Sequence, residues 1–166
     1  MKRIINLQLL IIPICLTAIV LFNGCSSAKE ITKATPEEIT HAVNNGQWKF
    51  TADHVSPAYG SSKNLTSDYF VNANNNKLVV ALPYYGRLNS ASGAMNGNPL
   101  DFESTSFNLT KENRRDGGWL VTIKDPNPEV QSMIFTFYDN GNAQLNITMT
   151  NRSAISYSGK VMPFCS

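Results

Sequence analysis

Apolar residues fall into three regimes along this chain: an almost unbroken run from Leu9 to Phe22, a short stretch at helical spacing around Ile39, and alternation from Gln47 onward. The helical stretch is well bounded. Thr35 is placed to cap it, Pro36 suits the first helical position, and Glu38 completes a Thr-x-x-Glu capping box. Glu37 and Glu38 face the positive end of the helix dipole. Ile39, Ala42 and Val43 make one narrow apolar face, and Gly46 closes the helix in the left-handed position.

The alternating part has period two, the signature of half-buried strands. Trp48, Phe50 and Ala52 alternate with Lys49, Thr51 and Asp53. Tyr69, Val71 and Ala73 lead through Asn74-Asn75-Asn76 into Leu78, Val80 and Leu82, a predicted hairpin. Phe102 to Leu109 and Trp119 to Lys124 are expected to form the next pair. The clearest hairpin runs from Met133, Phe135 and Phe137 through Asn140-Gly141 to Ala143, Leu145, Ile147 and Met149. Asn-Gly there predicts a two-residue turn. Ile155 to Val161 is the last strand. The fold class that follows is mainly β: an antiparallel meander of about eight strands, curled or partly closed, with one short N-terminal helix. His54 to Thr66 and Pro83 to Pro99 are expected to be long loops, the kind that bind or move.

The first regime is an address. Lys2 and Arg3 precede the apolar run, small Gly24 follows it, and Cys25 comes next. Basic, apolar and small segments in that order form a secretory signal, and the run is short for a membrane span. A cysteine directly after the cleavage point is the acceptor for a lipoprotein's diacylglycerol, although Phe22 and Asn23 depart from the usual box. The expected organisation is a signal peptide over 1–24, a polar tether over 25–33, and one β-rich domain over 34–166. Cys25 is the expected lipidation site. The expected location is the bacterial cell envelope, on the outer membrane, and the single acidic residue in Ser26-Ser27-Ala28-Lys29-Glu30 leans towards a periplasmic face.

Composition narrows the function classes. Loss of Lys2 and Arg3 takes the formal charge from +2 to about zero, which leaves no electrostatic footprint for nucleic acid. Cys15 leaves with the signal and Cys25 takes the lipid, so Cys165 has no cysteine to pair with and reads as an inert tail residue. Nucleophilic catalysis needs a histidine beside the nucleophile, but His41 and His54 stand alone, without a Gly-x-Ser-x-Gly elbow. No zinc cluster and no phosphate-cradling motif is legible, so no cofactor, metal or catalytic residue is assigned. Asp139-Asn140-Gly141-Asn142 looks like part of a calcium loop, but a hairpin turn explains it. Asp101 and Glu103, two apart, are expected on one solvated strand face with Thr105 and Phe107.

The remaining concentration of recognition chemistry is Leu82-Pro83-Tyr84-Tyr85-Gly86-Arg87. Adjacent tyrosines at a strand end project to opposite sides, and Tyr with Arg dominates binding hot spots. Tyr84, Tyr85 and Arg87 are therefore the candidate binding residues. The alternative is a structural corner in which Arg87 pairs with a carboxylate.

The order of landmarks resembles a family of small Bacteroidetes lipoproteins, domain of unknown function 4251. It rests on Asn45-Gly46-x-Trp48-x-Phe50, the Leu82–Arg87 segment, Phe102 to Phe107, Gly117-Gly118-Trp119 and Arg152-x-x-Ile155-x-Tyr157-x-Gly159. The resemblance implies an envelope lipoprotein with a mainly β domain and implies no activity. The function expected is a non-catalytic, membrane-anchored binding module with a protein or glycan partner. The alternatives are a small hydrolase with carboxylates from separate strands, or a structural or inhibitory envelope protein.

Overall fold

The computed structural model describes residues 34–89 and 97–164. The signal, Cys25, the tether and Cys165 lie outside the described residues, as does most of Ser90 to Asn98. Helix α1 spans Pro36–Asn44 and is followed by nine strands. These are β1 (Gln47–Pro57), β2 (Lys63–Asn74), β3 (Lys77–Ala81), β4 (Asp101–Ser104), β5 (Asn108–Asn113), β6 (Trp119–Asn127), β7 (Val130–Phe137), β8 (Asn142–Met149) and β9 (Ile155–Pro163). All belong to one antiparallel sheet, ordered β4-β3-β2-β1-β9-β8-β7-β6-β5.

That order is a meander whose two ends, β1 and β9, pair with each other. Its edges, β4 and β5, are consecutive in the chain and only Thr105, Ser106 and Phe107 separate them, a link that spans at most about 14 Å. The sheet must therefore curl, and it forms a half-barrel. Contacts across the interior show the same thing. β1 and β7 are three strand spacings apart in the sheet, about 14 Å if it were flat. Yet Trp48 of β1 lies with its ring centroid 4.8 Å from that of Phe135 and 5.0 Å from that of Phe137, both on β7. Phe50 meets Phe135 at 5.8 Å. These edge-on aromatics fill the space between the walls, the preferred arrangement for such rings. The inward positions of β6 to β9, from Val121 and Met133 to Leu145 and Tyr157, close around them.

The helix covers one end. Thr35 Oγ1 accepts from the Glu38 amide and the Glu38 carboxylate accepts from the Thr35 amide, so the capping box forms as the sequence implies. Ile39, Ala42 and Val43 are buried, and Gly46 follows at φ 65°. At the helix C-terminus, Lys111 of β5 donates to the Asn44 carbonyl at 3.3 Å and to its side chain at 2.8 Å. That ammonium supplies one of the donors the last carbonyls of a helix lack.

Several expectations are corrected. β1 and β2 continue through most of the expected His54–Thr66 loop, leaving only residues 58–62 outside strands. Their polar outer positions, and a register shift between Ala52 and His54, had broken the visible alternation. The expected strand Phe102–Leu109 is two strands: β4 pairs with β3, and β5 pairs with β6. Directions alternate along each run, so β4 and β5 point the same way as two halves of one interrupted strand. The break turns Phe107 against the core, off the face that carries Asp101 and Glu103. The strand count is accordingly nine. Finally, Asn140-Gly141 does not make a two-residue turn. The Tyr138 amide donates to the Asn142 carbonyl at 3.0 Å, enclosing Asp139, Asn140 and Gly141. Only Gly141 takes a positive φ, 80°, as in a three-residue hairpin loop.

Candidate functional site

The end of the half-barrel opposite α1 is built from four chain segments. They are the β1–β2 turn, the corner after β3, the β6–β7 turn, and the connection from β8 to β9. Short hydrogen bonds join them. The Ala58 amide donates to the Ala154 carbonyl at 3.1 Å, the Asn89 amide to Asn151 at 3.0 Å, and the Thr150 amide to Glu129 at 2.9 Å.

Ser153, nearly fully buried, holds the corner. Its hydroxyl accepts from the Arg87 amide at 2.9 Å, its amide donates to the Arg87 carbonyl at 2.9 Å, and its carbonyl accepts from the Tyr84 hydroxyl at 2.7 Å. Tyr84 thus folds back beneath its own loop. A Cβ on Gly86 would fall 2.1 Å from the Tyr84 hydroxyl and 2.6 Å from Ser153 Oγ, so no side chain fits there without displacing them. Beneath the corner, the Tyr157 hydroxyl donates to the Pro83 carbonyl at 2.8 Å. Burial, reinforced by the Tyr84 and Tyr85 phenols, pushes the Tyr157 phenol far above its usual range. Arg152 lies over the Tyr84 ring and its Nε donates to Glu129 at 2.8 Å. Asn98 closes the other side, donating to the Leu82 carbonyl at 2.6 Å.

The three sequence candidates therefore do different things. Tyr84 points inward and pins the corner. Tyr85 and Arg87 point outward, and among the described residues Arg87 meets no carboxylate; its guanidinium lies 5.7 Å from the centroid of Tyr59. The Lys63 ammonium lies 4.4 Å from the centroid of Tyr85. Each of two neighbouring segments supplies one ring and one cation, and each cation sits on the other segment's ring. Tyr59, Tyr85 and Leu88 are 60%, 39% and 46% exposed, and of the large apolar side chains described only Leu109 is comparably open. An open cleft of about 530 Å3 adjoins Leu88, bordered also by Pro83, Tyr84, Gly86, Asn98, Pro99 and Arg152.

Sequence reasoning missed Tyr59 and Lys63, which lay in a stretch read as loop without chemistry, and the roles of Ser153 and Glu129. A serine or glutamate in a turn carries no local sign of a partner more than 20 residues away. The other candidates stay apart. His54 meets the Asn64 side chain at 2.9 Å, and His41 lies beside Asn45 on α1. Glu103 pairs with Lys77 at 2.7 Å on an exposed face, where Asp101 is also exposed. Among the described residues, no three His, Cys, Asp or Glu side chains are grouped to hold a metal ion.

The arrangement defines a class: a helix-capped antiparallel half-barrel with an aromatic, cation-bearing open end. The family model for a domain of unknown function, DUF4251, matches residues 31–161, and the chain belongs to that family. It is also similar to the crystal structure of a DUF4251 family protein from Bacteroides eggerthii. That protein is 18% identical; the match covers 77% of this chain and 87% of the other, with a TM-score of 0.59. The likeness concerns the fold. No match was found among curated proteins.

Proposed function

We propose that this chain is a cell-envelope lipoprotein, anchored through Cys25, whose β domain is a non-catalytic binding module acting through its open end. The carrying observation is the clustering of Tyr59, Tyr85 and Leu88 with Arg87 and Lys63 on two adjoining segments. Exposed aromatic and guanidinium groups gathered on a rigid support are the usual composition of a recognition surface. The fixed corner beneath them lowers the entropy lost on binding.

Two measurements test this reading. A fatty-acid analogue fed to cells is expected to label the wild type and not Cys25→Ala; equal labelling removes the anchor. Immobilised wild-type domain is expected to retain a component of envelope extract that a Tyr59→Ala/Tyr85→Ala variant of unchanged Tm does not. Identical retention would end the binding role of the open end.

A further inference from the structure

We infer that the ligand of this surface is an acidic saccharide, a sugar chain carrying carboxylate or phosphate groups; this rests on the binding-module reading above. Lys63 and Arg87 form no ion pair among the described residues. Both instead sit over tyrosine rings, at 4.4 Å and 5.7 Å from the centroids. A ring holds a cation in place through its quadrupole without occupying the N–H donors. Those donors remain available for charge-assisted bonds to an anion. Glu129 at this end is bound to Arg152, and among the described residues no carboxylate pairs with Lys63 or Arg87. Charge complementarity therefore calls for a negative ligand.

Size and polarity separate a saccharide from a protein. A stable protein interface needs roughly 800 Å2 per partner around a desolvated apolar centre. Two tyrosines and Leu88 beside an open cleft offer no such centre. Flat phenol faces with hydroxyl edges match sugar rings, which present C–H faces and hydroxyl rims.

The test is calorimetric titration of the purified domain with a panel of acidic oligosaccharides bearing uronate, sialate or sugar phosphate. Each is compared with its neutral counterpart, and inorganic phosphate and poly-glutamate serve as further probes. At least one acidic member is expected to bind about tenfold or more tightly than its neutral form, more weakly as salt rises. Lys63→Gln and Arg87→Gln are each expected to weaken that binding about tenfold with unchanged Tm, whereas Lys160→Gln, at an exposed position on β9, leaves it alone. Uronate binding against phosphate binding identifies the anion. No binding across the panel, equal binding of neutral forms, or equal binding of poly-glutamate overturns the inference. If the Tyr59/Tyr85 variant still loses its envelope component in that event, the binding module stands and only the saccharide falls.

Discussion

Tyr84 and Tyr85 are neighbours in sequence with opposite employments, and Gly86 is what permits it. Its backbone passes over the Tyr84 ring so closely that a methyl group has no room. Gly86→Ala is expected to cost about 1–3 kcal/mol in denaturant unfolding, as overpacked sites do. A loss below about 0.5 kcal/mol would show that the corner is slack. Tyr157 carries a second expectation, in alkali. Its folded phenol is held neutral by burial, while the unfolded chain ionises near its ordinary value of 10.0. Above that pH the unfolded state releases a proton that the folded state retains. Stability is thus fully present below pH 10 and falls as pH rises beyond it, by up to about 1.4 kcal/mol per unit. Tyr157→Phe loses the bond to Pro83, worth about 1 kcal/mol at neutral pH, and is expected to show the shallower decline above pH 10. Parallel declines for both proteins would contradict the assignment.

Among the elements, those specified by local signals were legible in the sequence. The helix was readable to within a residue or two because its cap, its first-turn proline and its closing glycine all lie within one short stretch. The β7–β8 hairpin was readable because its alternation is unbroken, and Phe135 pairs with Leu145 and Met133 with Ile147 on one buried face. Its loop has one residue more than expected, and that residue sets the register: a two-residue turn at Asn140-Gly141 would have put Phe135 opposite Asn146, whereas the three-residue loop puts it opposite Leu145. Truncating Phe135 to Ala removes a ring packed against Trp48, Phe50 and Phe137 and is expected to cost about 3–5 kcal/mol. A chemical-denaturation loss under 1 kcal/mol would mean the interior refills. What stayed hidden is long-range. The kink at Thr105-Ser106-Phe107 is forced by two strands claiming different partners, and no local composition announces it. The candidate site divides in the same way. The tyrosine–arginine corner was visible as a concentration of residue types, but its clasp to Tyr59 and Lys63 and its anchorage on Ser153 depend on pairings across the whole chain.

At the scale of the molecule, curling solves the burial of one large apolar face and leaves a seam between β4 and β5. Unpaired edges invite other strands, and proteins blunt them with charge. β5 is exposed at all six positions. Its register places Leu109, Lys111 and Asn113 opposite Ile123, Val121 and Trp119, on the face that is buried in the next strand. An apolar residue at 111 would extend that face to the rim. Lysine there reaches out to the C-terminus of α1, so one side chain both closes the helix end and keeps the edge charged. Lys111→Val is therefore expected to do two separable things. It should lower stability by about 0.5–1.5 kcal/mol through the lost helix-end bonds. It should also make the domain self-associate with rising concentration through the uncovered edge, seen as an earlier elution in size-exclusion chromatography. Lys111→Gln, uncharged but polar, should share the stability loss and remain monomeric. Monomeric Lys111→Val at high concentration would show that the seam is guarded by the twist of the sheet rather than by this charge.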